Sequence, residues 1–394
     1  MDWTNLTEWL DLVVRWFHVM AAITWVGSSF YFLWLGRVFA SPERTRAGDS
    51  GEPWMIHATG FALSDKFRPG PGEAMKMLHW FKRESVLVWA SGVVLLYLVY
   101  FVSGGAFLTA RVESKAELWA YAAASAALIV LAWMAYDWLW NSALGQRPVR
   151  AGVVSFLLVL FVAWGLSRVV SGRAVYVFTG SILGTLMVGN VWLRMLPALR
   201  ERTEASETGR VHDAAGWSRA QLRSVHNSYL AFPVATLMLS IHHPGVHGGP
   251  YNIAVLALLL AGFVAARHVV VNGRGRRWAL AAVVAALAGM ISLTGSVPAR
   301  IAPGTGVPVA FAAVRAVINE RCIACHSLAP ADRSFGVAPG GVNFDAPEDI
   351  RRFALRIRQR IVIAETMPFG NHPRPTVQER ELLGRWVEQG ASLQ

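Results

Sequence analysis

The chain has 394 residues, of which 54% are hydrophobic and 16% charged, against about 25% charged residues in soluble domains. This composition excludes an ordinary soluble globular protein and indicates an integral membrane protein in a lipid bilayer. The net charge of +12 requires no nucleic acid as a partner, because basic loops facing anionic lipid explain it.

Eight segments are apolar over roughly 20 residues, the length that crosses the hydrocarbon core as a helix. They lie near residues 10–36, 85–104, 118–140, 151–170, 174–196, 225–243, 251–271 and 278–297. We therefore predict an all-α integral membrane protein, with an eight-helix transmembrane bundle over residues 1–300. No short apolar region with an A-x-A site opens the chain, so the first segment is expected to remain a membrane helix.

The loop charges give an orientation. If the amino terminus lies outside, the cytoplasmic loops hold 20 Lys and Arg residues and the outer loops hold four. Because basic residues concentrate in cytoplasmic loops, we predict a bacterial inner-membrane protein with a periplasmic amino terminus. Eight spans also return the chain to the periplasm before residue 301.

The first span carries polar groups at membrane depth, which are costly and face a bundle interior. Arg15 and His18 share one face by helical spacing. They either line a deep cavity and bond to a neighbouring helix, or His18 ligates a haem b. In the second case, His242 or His243 near the same level is the expected partner ligand.

A second group of polar residues gathers toward the cytoplasmic side. Individually they can be helix caps or interfacial anchors. Together they can form a pocket for a planar, polar anion, with cations for charge and amide or imidazole groups for hydrogen bonds. The members are His79, Lys82, Glu84, Asp137, Asn190, Arg223, His226, Asn227 and Tyr229, of which all but Asp137 are taken as candidate site residues.

The segment Ile241–Gly249 holds three histidines after the sixth span. A metal site is one interpretation. The favoured one is an exposed histidine-rich turn near the domain that follows the bundle.

Residues 301–394 contain both cysteines of the chain, in the motif R-C-I-A-C-H-S from Arg321. C-x-x-C-H spacing lets Cys322 and Cys325 bind one haem covalently as thioethers, with His326 as the proximal iron ligand. A redox dithiol would need a βαβ context and a zinc site a second ligand pair, and neither follows. The motif therefore predicts haem c, which is attached outside the cytoplasm.

Met367 in E-T-M-P-F-G is the predicted second axial ligand, and His372 is the competing candidate. Helices are predicted near residues 307–320 and 379–391, the second with Gly390 as its stop signal. Residues 301–394 resemble a small class I cytochrome c, so we predict a periplasmic cytochrome c domain.

Several stretches of the membrane part resemble the membrane-bound urate oxidase family, whose members carry a fused carboxy-terminal cytochrome c. They are R-W-F-H-V-M-A-A-I-T-W-V-G-S from Arg15, M-I-H-A-T-G-F from Met55, L-H-W-F-K-R-E from Leu78, G-S-I-L-G-T-L-M-V-G-N-V from Gly180 and R-S-V-H-N-S-Y-L-A-F-P-V from Arg223. The stretch from Arg223 is the specific one. The resemblance implies oxidation of urate to 5-hydroxyisourate, with electrons leaving through the cytochrome rather than forming hydrogen peroxide. A soluble cytochrome c or a terminal oxidase would then accept them.

Within the M-I-H-A-T-G-F stretch, His57 joins the candidate residues of the substrate pocket, which we expect to open toward the cytoplasm. A rival function is a membrane-anchored cytochrome subunit that passes electrons from quinol to a periplasmic acceptor and has no substrate of its own. Reduction of the haem by urate or a related purine, and not by quinol, separates the two hypotheses.

Overall fold

The computed structural model describes most of the chain. The residues described are 3–39, 54–57, 60–63, 82–102, 107–108, 112, 114–272, 276–295, 307–332, 338–363, 365, 367–368 and 373–394. They are almost entirely helical, as predicted. The exception is a short antiparallel hairpin, in which β1 (Trp54–His57) pairs with β2 (Gly60–Leu63) so that His57 lies opposite Gly60.

The first part of the chain forms ten helices within the described residues. They are α1 (Trp3–Phe39), α2 (Lys82–Tyr97), α3 (Lys115–Asn141), α4 (Pro148–Leu166), α5 (Gly172–Asn190), α6 (Leu196–Glu207), α7 (Ala214–Ser240), the short α8 (Pro244–His247), α9 (Asn252–Val271) and α10 (Arg276–Gly295). A π-helical turn, Leu98–Val102, extends α2, and another, Val191–Met195, joins α5 to α6. Ser114, Ser171 and Asp213 cap α3, α5 and α7 through their side chains.

Among the described residues, seven helices are long and apolar enough to cross a membrane. They occupy seven of the eight predicted spans. The sixth predicted span, 225–243, lies largely in α7, which is 27 residues long but is not among the seven. Its first half carries Arg219, Arg223 and His226, which lower its hydropathy. The crossing of α7, and hence the count of eight, stays a prediction.

Large apolar side chains cover the outside of this helical part. Trp16 of α1 and Trp138 of α3 are 63% and 73% exposed, and Leu131 is 60% exposed. In water so large an exposed apolar surface would promote aggregation, whereas in a bilayer it would face lipid. The helices and their exposed apolar faces are therefore compatible with a multi-pass membrane protein.

Helix α5 lies at the centre of the bundle, where it packs against α2, α3, α4 and α7. Thirteen of its 19 residues are buried. Glycines permit this close packing: a Cβ at Gly180 would meet Met238, and a Cβ at Gly189 would overlap the indole of Trp133. The residues at the two ends of α5 are therefore held firmly between neighbouring helices.

The last part of the chain has its own hydrophobic core. Its elements are α11 (Phe311–Arg321), a 3₁₀ turn (Pro339–Gly341), α12 (Pro347–Arg352), α13 (Ala354–Ile357), a π-helical turn (Arg358–Ile363) and α14 (Val377–Glu388). Ile318, Ile350, Leu383 and Trp386 are almost fully buried in that core. Both helices predicted here are confirmed, with somewhat different ends, and Gly390 follows α14 at a φ of +92°.

The two parts meet where α8 packs against the Arg358–Ile363 turn, a contact that we call the seam. A Cβ at Gly245 would lie 3.3 Å from Nε2 of Gln359. A cavity of about 50 Å³ crosses the seam and has Val246, Asn252 and Gln359 among its walls. The last part of the chain therefore lies against the end of the bundle at which α5 and α9 begin.

Candidate functional site

Five of the predicted pocket residues lie within α7 or at the end of α5, and the structure brings four of them together with residues from α3 and from the Val191–Met195 turn. We call this group the Arg223 cluster. Its members are Tyr136, Asp137, Asn190, Arg194, Arg223, His226 and Asn227.

Tyr136 links the predicted residues to one another. Its Oη lies 2.7 Å from Nδ1 of His226 and accepts a hydrogen bond of 2.9 Å from Nδ2 of Asn190. Asn190 also donates to Oδ1 of Asn227 over 2.9 Å, and Asn227 donates to the Met187 carbonyl. The ring of Trp140 lies 4.0 Å from that of His226, between centroids. The amides and the imidazole are thus held in one orientation.

Asp137 holds the two cations of the cluster. Arg223 donates from Nη2 to Oδ1 of Asp137 over 3.0 Å, and Arg194 forms a two-pronged ion pair with the same carboxylate. The guanidinium of Arg223 also lies over the Tyr136 ring, at 4.7 Å from its centroid. Arg223 is 3% exposed and Asp137 7% exposed. One buried cation, Arg223, and one exposed cation, Arg194, therefore share one carboxylate, which leaves a positive charge to attract an anion.

Two polar atoms of the cluster are buried and have no hydrogen-bond partner among the described residues. They are Nη1 of Arg223, a donor, and Oδ1 of Asn190, an acceptor. A buried donor or acceptor without a partner is destabilising, so both atoms are expected to bind something. An anion that carries both oxygen acceptors and N–H donors matches this pair.

The remaining predicted pocket residues lie elsewhere. Tyr229 follows His226 by three residues, yet its hydroxyl lies 2.8 Å from Nδ1 of His268, and Arg267 stacks on its ring. Lys82 and Glu84 begin α2, whose Ser85 accepts a hydrogen bond from Trp192 just beyond α5, so they lie at the same end of the bundle as the cluster. His57 ends β1, and His79 lies outside the described residues.

Tyr136 and Arg194 were not predicted, and Asp137 was named in the polar group but not among the candidate site residues. They lie far from α7 in sequence, and only the packing of α3 and α5 brings them to Arg223. One signal was available: an aspartate near the end of a helix as apolar as α3 is costly unless it is paired. Asp137 therefore required a cation, and Arg194 and Arg223 are the cations it has.

The C-x-x-C-H segment directly follows α11. Cys322 is buried, Cys325 is half-buried, and neither forms a disulfide. His326 has its Nδ1 2.8 Å from the Val342 carbonyl. Because a carbonyl only accepts, Nδ1 carries the proton and Nε2 is left for a metal. The ring packs beside Phe344, 5.2 Å between centroids.

Met367 packs against the same hydrophobic core as Cys322 and Phe344. Its backbone N–H donates to the Arg360 carbonyl over 3.3 Å. The Cys322 thiol and the Met367 thioether thus share one apolar core, beside a second thiol and a histidine with a bare Nε2, and this donor set would fit haem c. His372, the competing ligand, lies outside the described residues.

His18 faces α2, where its Nδ1 lies 3.0 Å from Oγ of Ser91. Ser91 donates its own proton to backbone carbonyls, so His18 donates from Nδ1 and keeps a bare Nε2. A bare Nε2 suits a haem ligand. The ring packs against Gly92 of α2, and its pairing with His242 or His243 stays a prediction.

The histidine-rich turn is only partly exposed. His242 and His243 are exposed, as expected, but the expectation is wrong for His247, which is 1% exposed in α8. In the described part of the chain, no three His, Cys, Asp or Glu side chains are grouped closely enough to hold a metal ion. A metal site built from such a group is therefore not formed by these residues.

Comparison with known families resolves what the bundle is. The model of the family described as "Urate oxidase N-terminal" matches residues 4–296, which covers all the helices from α1 to α10. The chain belongs to the urate oxidase N-terminal family. No curated protein and no solved structure matches it. Membership of the urate oxidase N-terminal family indicates an oxidoreductase-type enzyme with an activity related to urate. The Arg223 cluster lies wholly within the matched residues.

Proposed function

We propose that the protein oxidises urate to 5-hydroxyisourate and passes the electrons to a haem c carried by residues 301–394. The cytochrome would then reduce a soluble cytochrome c or a terminal oxidase, and no hydrogen peroxide would form. The observation that carries the proposal is the family match over residues 4–296. The C-x-x-C-H motif, with a histidine oriented for iron, supports the choice of electron acceptor.

The Arg223 cluster is the proposed substrate site. Urate is a planar anion at neutral pH with both carbonyl oxygens and N–H groups. Nη1 of Arg223 can donate to a urate oxygen, and Oδ1 of Asn190 can accept from a urate N–H. Asp137 fixes the Arg223 guanidinium from its other side, so this cation is oriented before the substrate binds.

His226 is the proposed general base. The urate anion and one water yield neutral 5-hydroxyisourate, two electrons and one proton, so the site must accept a proton as the electrons leave. In the tautomer that carries its proton on Nδ1 and donates it to Tyr136 Oη, Nε2 of His226 can take a proton from the substrate or from the attacking water. A bound haem would supply a one-electron acceptor that is reduced twice in each cycle.

The proposed orientation sets the protein in the bacterial inner membrane with the cytochrome in the periplasm. It rests on the charge bias of the loops. The Arg223 cluster lies at the end of α5 that this orientation turns toward the cytoplasm. Cytoplasmic purines could therefore reach the cluster, while the seam lies at the other end.

The test follows haem reduction in the purified full-length protein without oxygen. Urate should reduce the haem, and quinol should not. His226→Ala should abolish reduction by urate, while dithionite still reduces the haem fully. His212→Ala, in the loop before α7, is the matched control and should behave as the wild type. Reduction by quinol alone would support the rival electron-transfer subunit, and normal urate turnover in His226→Ala would remove α7 from the site.

A further inference from the structure

Three residues at the seam end of the bundle have buried polar atoms that the proposed substrate site does not use. We call them the His247 cluster: Tyr100 at the end of α2, Arg173 at the start of α5, and His247 in α8. Within the described residues, Tyr100 Oη, Arg173 Nε and both ring nitrogens of His247 are buried and make no hydrogen bond of normal geometry. Tyr100 is 2% exposed and His247 1% exposed.

Packing on shared neighbours brings Tyr100 and Arg173 together. The Arg173 guanidinium lies over the ring of Phe107, 4.0 Å from its centroid, and that ring lies 6.4 Å from the ring of Tyr100. Ser171 fixes the position of Phe107 by donating to its carbonyl over 2.7 Å. The two side chains are therefore held against the same aromatic surface.

His247 lies against the start of the same helix. Its carbonyl touches Gly172 so closely that a Cβ there would overlap it, and its ring lies 6.1 Å from that of Tyr176. Burial lowers the pKa of His247 to about 4, and the charges of Arg173 and Arg360 add to this effect. Arg360 belongs to the turn on the other side of the seam. His247 is thus neutral near pH 7, with cations from both parts of the protein within electrostatic reach.

The side chains of the His247 cluster can all act as hydrogen-bond donors to oxygen atoms. A tyrosine hydroxyl, a guanidinium N–H and a neutral imidazole N–H can all donate to oxygen, and Arg173 adds a positive charge. A ligand with several acceptor oxygens and a negative charge would satisfy them together. An apolar molecule would leave all of them unpaired.

We propose that Tyr100, Arg173 and His247 form a binding site for an oxyanion at the seam, with Arg360 facing it from the cytochrome side. One source is a propionate group of the haem, a source that rests on the proposed function. The other source is a free oxyanion from solution. The same donors would bind a propionate or a free oxyanion. The two cases can be separated because added anion should affect only a site that exchanges its ligand with the solution.

The test is a redox titration of the full-length holoprotein across about pH 5 to 8, the range in which a buried carboxyl group that lacks its cation titrates. Arg173→Gln should lower the reduction potential of the haem, because it removes a positive charge beside the propionate. It should also make the potential fall further as the pH rises, because the propionate, still buried but without its cation, then ionises within this range. Arg168→Gln is the matched control, since Arg168 is exposed near the same end and stacks on Trp164.

A second arm adds inorganic phosphate to distinguish the sources. If the site takes a free oxyanion, phosphate should shift the wild-type potential to a saturating value and leave Arg173→Gln unchanged. If a propionate fills the site, phosphate should have no effect while the pH dependence of Arg173→Gln remains. Tyr100→Phe removes a single hydroxyl and should change the reduction potential in the same direction as Arg173→Gln, but by less. This second variant tests the site even if Arg173→Gln folds poorly.

The proposal is overturned if Arg173→Gln and Arg168→Gln coincide in potential, in pH dependence and in response to phosphate. Haem content, measured first as the pyridine haemochrome, separates this failure from that of the proposed function. Absent covalent haem would defeat the proposed electron acceptor and the propionate source. The free-oxyanion source would then be tested by melting temperatures. Phosphate should raise the melting temperature of the wild type but not that of Arg173→Gln, and equal responses would overturn this source too.

Discussion

At the scale of single residues, the orientation of His326 depends on a backbone atom distant in sequence. The Val342 carbonyl holds Nδ1 at 2.8 Å, so the ring can offer only Nε2 to iron. Such a contact is worth more than its hydrogen bond alone, because it fixes the tautomer and the ring plane before the ligand binds. Met367, on the same core, has no comparable constraint on its sulfur.

The first prediction concerns that sulfur. Met367→Ala should leave the haem covalently attached, because Cys322 and Cys325 are unaffected. It should remove the absorption band that arises from charge transfer between methionine and iron, and it should lower the reduction potential. Visible spectra and a redox titration of the purified protein measure both effects. An unchanged spectrum would assign the sixth ligand to His372 instead.

Local spacing explains which site residues the sequence could predict. Cys322, Cys325 and His326 follow from a motif of five residues, and Arg223, His226 and Asn227 lie within one and a half turns of one helix. Tyr136 and Asp137 are separated from them by more than 80 residues, and no local pattern joins them. Tyr229 shows the converse: neighbouring positions on a helix still allow two side chains to bond to different partners.

At the scale of elements, helix α5 depends on glycines at its contacts. A Cβ at Gly189 would overlap the indole of Trp133, whereas a Cβ at Gly184 would meet nothing within 4 Å. Both positions are helical, so the intrinsic preference for alanine is the same at each. The difference between them isolates the effect of packing.

We therefore expect Gly189→Ala to destabilise the protein by about 1–3 kcal/mol through overpacking. Gly184→Ala, the control on the same helix, should stabilise it by up to about 1 kcal/mol, because alanine loses less backbone entropy. Unfolding in detergent, followed by circular dichroism, measures both. Equal stabilities of the two variants would mean that α3 and α5 are not packed as closely as described.

Helix α14 contains a group whose ionisation stabilises the last part of the chain. Burial alone would raise the pKa of Glu379, but hydrogen bonds from Arg321 and from the Thr376 backbone outweigh it and lower the pKa. A carboxyl group whose pKa is lower in the folded state stabilises that state above its unfolded pKa of about 4.3. This stability is lost as the pH falls through the folded-state value.

Glu379→Gln should therefore be less stable than the wild type near pH 7, and the gap should close as the pH falls below about 4. Glu381→Gln, at an exposed position of the same helix, is the control and should follow the wild type throughout. Melting temperatures across the acidic range give the comparison. A constant gap between Glu379→Gln and the wild type would show that the carboxylate charge has no part in this stabilisation.

The elements themselves were predictable to different degrees. Apolar length alone located seven helices, because a helix in lipid needs little else. The β1–β2 hairpin was not predicted, since the charged and glycine-rich segment around it shows no clear alternation. Helix α7 was predicted as a span from residue 225, whereas it begins at Ala214, because the Asp213 cap lies in a polar stretch outside the apolar window.

At the scale of the whole molecule, the two proposed centres lie at opposite ends of α5. Asn190 of the Arg223 cluster and Gly172 beside His247 are 18 residues apart in one helix, a distance of about 27 Å at 1.5 Å per residue. That is close to the hydrocarbon thickness of a bilayer, about 30 Å. Electrons do not tunnel usefully over such a span, so a shorter route is needed between urate and the cytochrome.

His18 is placed about halfway along that distance. Trp89 of α2 donates to Thr185 of α5, which sets Ser91 and Gly92, the neighbours of His18, beside the middle of α5. Its bare Nε2 could ligate a haem b there, which would divide the path into two shorter steps. The alternative is that Arg15 and His18 only line a deep cavity, through which the substrate approaches the cytochrome.

The final prediction separates these routes by the pyridine haemochrome of the pure protein. With a haem b at His18, the wild type should show a b-type band beside the c-type band, and His18→Ala should lose the b-type band alone. His268→Ala, which removes a histidine held by Tyr229, should keep both bands. If the wild type contains haem c only, no second haem bridges the two ends. The substrate must then be oxidised nearer the seam than the Arg223 cluster lies.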